Sequence, residues 1–135
     1  MMKNVLNFLE DHEVSEDIII LGQCPSSRTG PFKNGTFDRL KKWCDEVGLN
    51  AWDFHNVIPD KINSYSIKDV NSDLLITRTK NKKKVVALGS FVSRVCTKYK
   101  IDHFKIDHPS PRNRNLNSKD YERAMIERFK IYVNT

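Results

Sequence analysis

Residues 108–115 read His-Pro-Ser-Pro-Arg-Asn-Arg-Asn. Two prolines within three positions forbid both a helix and a central strand, so the segment must be a stiff loop. That loop carries an imidazole, two guanidinium groups and two amides, directly after the apolar run Phe104-Lys105-Ile106. Such a set offers many hydrogen-bond donors on a backbone that holds them still. Three other short stretches hold most of the remaining reactive or ligand-reading side chains: residues 22–34, 55–59 and 89–90.

The elements that must position these stretches are legible from the spacing of apolar residues. Residues 17–22 form a continuous β-branched run ending in glycine, the pattern of a strand buried on both faces. Residues 85–89, Val-Val-Ala-Leu-Gly, repeat it. Further strands are expected over 51–57 and 103–107. Val5, Leu6, Phe8 and Leu9 suggest a first short helix. Phe37, Leu40, Cys44 and Val47 recur at helical spacing, with Gly48 placed as the terminating glycine. Ile67, Val70, Leu74 and Leu75 predict a helix starting near Ser66. Ser90 is the expected cap of a helix bearing Phe91, Val95 and Tyr99, and Asn117 or Ser118 that of a last helix with Tyr121, Met125, Phe129 and Tyr132.

Strands alternating with helices give an α/β fold: a three-layer α/β/α sandwich around a four-stranded parallel sheet. At 135 residues the chain is expected to be a single domain, residues 1–135, and a monomer. In such sheets ligands bind beyond the carboxyl ends of the strands. The four chemistry-bearing stretches all fall at predicted strand ends.

Composition narrows the partners. The net charge of +6 and a sequence pI near 9.3 suit a polyanion. The three cysteines, Cys24, Cys44 and Cys96, are odd in number and lack CxxC spacing. They support neither a zinc site nor a disulfide framework. No apolar run reaches the length of a membrane span, and the acid-containing amino terminus is unlike a signal peptide. The expectation is a cytoplasmic protein with reduced thiols, no metal, no cofactor and no membrane partner. The lysine cluster 80–84 reads as a solvated turn that adds nonspecific attraction for nucleic acid.

Leu21-Gly-Gln-Cys-Pro-Ser-Ser-Arg-Thr-Gly-Pro-Phe32, Asp53-Phe-His-Asn-Val-Ile-Pro59, Val85-Val-Ala-Leu-Gly-Ser90 and His108-Pro-Ser-Pro-Arg-Asn-Arg114 occur in the order and spacing of the uracil-DNA glycosylase superfamily. Gly22-Gln23-Cys24-Pro25 resembles that superfamily's first strand-end loop, and His108-Pro109-Ser110-Pro111 its last. Pro31-Phe32 followed by Gly35 resembles a segment of its thermostable branch. The resemblance spans nearly the whole chain from about Asp17 and implies a DNA N-glycosylase of base excision repair, which flips a uracil or another damaged or modified base out of single- or double-stranded DNA.

By that resemblance Phe32 stacks on the flipped base, Asn56 pairs with its Watson–Crick edge, and Gln23 lines the pocket through its backbone. His108 donates a hydrogen bond to the negative charge left on the departing base. Ser110, Arg112, Asn113 and Arg114 meet the DNA. Ordinary loop packing for Phe32 and a turn role for Asn56 are the plain alternatives. Cys24 departs from the family, which carries Asp, Asn or Ala there. It leaves three outcomes: hydrolysis driven by leaving-group stabilisation, a thiolate nucleophile giving base exchange, or a catalytically silent DNA-binding relative. Asp53 and Asp107 flank the predicted strand ends as substitute acids, with strand alternation deciding where they face. The iron–sulfur cluster of the thermostable branch is not expected, because it needs four cysteines.

Overall fold

A computed structural model describes residues 16–23, 35–58, 65–110 and 113–135. Four strands, β1 (Ile18–Gly22), β2 (Asp53–Asn56), β3 (Lys84–Leu88) and β4 (Phe104–Ile106), form one sheet. Its order is β2-β1-β3-β4 and every pair is parallel. The register sets Gly22 opposite Asn56, Leu21 opposite Ala87 and Leu88 opposite Ile106. Helices α1 (Gly35–Glu46), α2 (Ser72–Thr79), α3 (Gly89–Lys98) and α4 (Lys119–Val133) cover it. The α/β sandwich expected from the alternating pattern is the observed architecture.

Why the central strands read as unbroken apolar runs is plain from their neighbours. Ile20, Phe54, Val86, Leu88 and Ile106 pack with Leu40, Trp43 and Cys44 of α1 and Met125 and Phe129 of α4. Ile19, Leu21, Val85 and Ala87 pack on the opposite face with Leu75 of α2 and Val92, Val95 and Cys96 of α3. Both faces exclude water, so alternation with polar residues would leave polar groups buried. On the first face the Trp43 indole N–H donates to Glu122 Oε2 at 2.8 Å, which fixes α1 against α4.

Helix α1 ends as the sequence requires. Gly48 has φ +80°, its N–H bonds Asp45 O, and the Leu49 N–H bonds Cys44 O at 2.9 Å. This Schellman closure favours glycine at its left-handed position. Helix α3 closes the same way, with Ile101 N–H to Cys96 O at 2.8 Å, but the residue at φ +59° is Lys100.

Two of the expected helices change. The helix predicted from Ser66 is instead a 3-10 turn, Ile67–Asp69, followed by the separate α2. Ser66 and Asp69 close a capping box on the turn, and Asn71 Oδ1 accepts the Leu74 N–H to start a new helix. The stripe therefore shifts: Leu75 is buried and Leu74 is 37% exposed. Ser90 is not a cap either, since α3 begins at Gly89, straight from β3, without a side-chain cap. The apolar face of α3 is accordingly Val92, Val95 and Cys96, with Phe91 and Tyr99 at its margins. The fifteen amino-terminal residues that hold the expected first helix lie outside the described ones. Among the described residues no helix is long and apolar enough to cross a membrane.

The lysine cluster is not a uniformly solvated turn. Lys82 forms a buried pair with Asp53 at 2.5 Å and donates to Glu16 O. Lys84 donates to Tyr132 O and Val133 O, neutralising the carbonyl end of α4.

Candidate functional site

The chain runs from β1 to β2 on one side and then crosses to β3 on the other, so neighbouring connections diverge at the carboxyl ends of β1 and β3. This is the point where open α/β sheets form their crevice. Gly22-Gln23, Asn56, Gly89 and Asp107-His108 end the four strands there.

At the β2–β1 side the backbone continues the ladder past the strands: Val57 N–H bonds Gly22 O, and Ile58 N–H bonds Gln23 O at 2.8 Å. The Gln23 carbonyl is thus engaged in the fold. Asn56 is 3% exposed. Its side chain and the Phe54 ring lie over Gly22 so closely that a Cβ on Gly22 would stand 2.8 Å from Asn56 Oδ1 and 2.6 Å from Phe54 Cζ. The glycine is therefore required for the approach of two side chains from the neighbouring strand. Gln23 is also held at its tip, where Tyr65 donates its hydroxyl hydrogen to Oε1 at 2.7 Å. Tyr65 in turn meets the Phe91 ring edge-on at 5.4 Å, and Arg94 lies over Phe91.

At the β3–β4 side the fit is again made by a glycine. Gly89 has φ +87°, and a Cβ there would come within 3.3 Å of His108 Cβ. The loop after β4 folds back on itself: the Ser110 backbone N–H points at His108 Nδ1, 3.1 Å away. A backbone N–H can only donate, so Nδ1 is the acceptor and the neutral ring carries its proton on Nε2. Burial lowers the His108 pKa below the usual histidine value, which favours that neutral form. Asn113 fastens the other end of the loop. Its amide donates to Asp107 Oδ2 and His108 O, both at 3.1 Å, while its oxygen accepts the Asn115 N–H and caps the 3-10 turn Arg114–Asn117. Asp107 also accepts the Tyr121 hydroxyl, and that hydrogen bond pushes the Tyr121 pKa up.

Gln23, Asn56, His108, Ser110, Asn113 and Arg114 all lie at the carboxyl edge of the sheet or in the loop that follows it. Within that set, Asn113 is built into the loop as its clasp, whereas Arg114 is exposed. Cys24, Phe32 and Arg112 lie outside the described residues. Of the two substitute acids, Asp107 adjoins His108. Asp53 begins β2 at the opposite edge, fully buried against Lys82, so it is a structural carboxylate. Cys44 and Cys96 are core residues whose thiols burial pushes up to about 12, which keeps them inert. Sequence reasoning missed Tyr65 and the clasp roles of Tyr121 and Asn113. Tyr65 sits in the stretch with no clear periodicity, and Tyr121 looks like any helix-face aromatic.

The carboxyl edge thus presents a neutral imidazole fixed in one tautomer, beside a carboxylate and across the sheet from a buried amide. Comparison with protein-family models, with curated proteins and with solved structures finds no match for this chain.

Proposed function

We propose that this protein is a DNA N-glycosylase that acts on uracil or another modified base after base flipping, with His108 as the donor to the leaving base. The observation that carries the reading is the Ser110 N–H bond to His108 Nδ1. Breaking an N-glycosidic bond leaves negative charge on the base. A hydrogen-bond donor aimed before the reaction stabilises that charge without reorganisation in the transition state. A neutral imidazole with its proton on Nε2 is such a donor, and it leaves no net charge buried in the crevice when substrate is absent. Asn56 supplies both a donor and an acceptor, the pair that a pyrimidine edge requires. The motif resemblance, the exposed Arg114 and the net charge of +6 support DNA as the partner.

Cys24 favours a second reading, a relative that binds a modified base without cleaving it. A neutral thiol orients water poorly where the family carries a carboxylate or amide. One experiment separates the two. Abasic-site formation and binding are measured together on oligonucleotides carrying uracil, hydroxymethyluracil, hypoxanthine or a mismatch, without added metal. The glycosylase reading predicts cleavage of at least one substrate, and about a hundredfold or greater loss of rate in His108→Ala. Selective binding with no cleavage would replace it by the binding reading. Neither binding nor cleavage would remove both.

A further inference from the structure

At the amino edge of the sheet, the pole opposite His108, a cleft of about 380 Å³ opens between the ends of α2, α3 and α4. Lys80, Lys82, Lys83 and Lys100 line it together with Tyr99, Ile101 and one acid, Asp102, so ammonium groups outnumber carboxylates in the lining. A cleft of that size is at the lower end of the range for small-ligand pockets.

Three helices end here, and their carbonyl ends by themselves attract cations. That demand explains Lys84, which bonds the last carbonyls of α4. The buried partner Asp53 explains Lys82. Lys83 faces Asp17 only across an exposed 3.6 Å pair, which holds it weakly. Lys80 and Lys100 have neither an ion pair nor a side-chain hydrogen bond among the described residues. Both follow helix carbonyl ends, α2 for Lys80 and α3 for Lys100, which accounts for their charge in part, but no side-chain partner among the described residues fixes where either ammonium group sits.

Lys100 is the sharper case. It occupies the left-handed position of a Schellman closure at φ +59°, whereas the equivalent position after α1 is Gly48 at φ +80°. The same motif tolerates glycine at no steric cost, and a side chain there is strained. Strain that local structure does not need points to a use for the side chain.

We propose that this cleft is an anion site for a nucleotide phosphate, held by Lys80, Lys83 and Lys100, with the sugar or base against Tyr99 and Ile101. Ammonium groups beside an aromatic wall match the combination that proteins use to track single strands. The site is independent of the glycosylase reading and stands or falls without it. Two sources share the chemistry, a polynucleotide strand and a free nucleotide.

The double variant Lys80→Gln with Lys100→Gly is compared with Lys41→Gln with Lys42→Gln, which removes equal charge from the exposed side of α1. Affinity for a fluorescent oligothymidylate is measured against salt, and amide shifts are mapped with deoxythymidine monophosphate. If a strand is the ligand, the cleft variant weakens oligonucleotide binding by roughly tenfold and lowers the salt slope by about 0.7 for each phosphate it no longer neutralises, while the α1 variant does much less. If a free nucleotide is the ligand, the monophosphate shifts the amides of Lys80, Tyr99 and Lys100 in the native protein alone, and oligonucleotide affinity is unchanged. Thermal melts verify folding, because Lys100→Gly relieves strain and raises the midpoint of the single variant. Equal weakening by both double variants, together with no monophosphate shifts at the cleft, overturns the proposal.

Discussion

The two edges of the sheet are built by different physics. At the amino edge, charge sits deep: Lys82 and Asp53 meet at 2.5 Å with the carboxylate fully buried, and Lys84 stoppers α4. At the carboxyl edge, directional hydrogen bonds and two glycines do the positioning. Gly22 admits Phe54 and Asn56, Gly89 admits His108, and the loop is clasped by Asn113. A buried ion pair is costly to break on one side, because the partner is stranded in low dielectric. A glycine-lined contact is costly to fill. Substitutions at the Lys82–Asp53 pair thus act through the fold. At the carboxyl edge they act through the aim of a few side chains.

The largest effect should come from the ion pair. Asp53→Ala leaves the Lys82 ammonium buried without its carboxylate and should cost about 3–5 kcal/mol by denaturant unfolding. An effect below about 1 kcal/mol would mean Lys82 turns to water without penalty, and the contrast between the edges would weaken. Next comes Gly22→Ala. Its new methyl would stand 2.6 Å from Phe54 Cζ, so overpacking should cost about 1–3 kcal/mol, with Asn56 displaced. If the substitution is neutral, the β2 side chains are freer than their packing indicates.

Much of this contrast was legible from residue types. The β1 and β3 runs announce strands covered on both faces, and their parallel pairing places the strand-end motifs together. Gly48 marks the end of α1 correctly because only the local closure decides it. What stayed hidden depended on partners distant in sequence. Nothing near Lys82 says that Asp53, 29 residues earlier, will bury with it. The break between the turn at Ile67–Asp69 and α2 was also hidden, because two polar caps, Ser66 and Asn71, overrode an apolar spacing that fits one helix. At the site, the pattern named His108. Its tautomer follows from a contact to Ser110 that only the folded loop makes.

Two smaller effects bear on the same contrast. Asn113→Ala removes the clasp of the carboxyl-edge loop and the cap of its 3-10 turn, and should cost about 1 kcal/mol. Its readout is faster amide exchange at Ser110 and Asn115, with protection in the sheet unchanged. Uniform loss of protection across the sheet would show that the loop belongs to the global folding unit. At the other edge, Lys100→Gly alone should change stability in the opposite direction, raising it by about 0.5–1 kcal/mol through relief of the left-handed strain. A loss of stability there would mean that the lysine side chain stabilises the fold through packing.

The proposed chemistry turns on His108 being a neutral donor set by its loop. Its folded pKa lies below the unfolded value of about 6.5, so its contribution to stability is fully present above that pH. That contribution is lost as pH falls through the lowered folded value. Long-range proton–nitrogen NMR of the histidine rings, followed from about pH 8 downward, reads tautomer and pKa in one titration. The expected result is His108 protonated at Nε2 and unprotonated at Nδ1, titrating below the ordinary histidine value of about 6.5, with the Ser110 amide shift moving at the same midpoint. A ring protonated at Nδ1 while neutral, or a midpoint at or above 6.5, would contradict a donor preset by the loop.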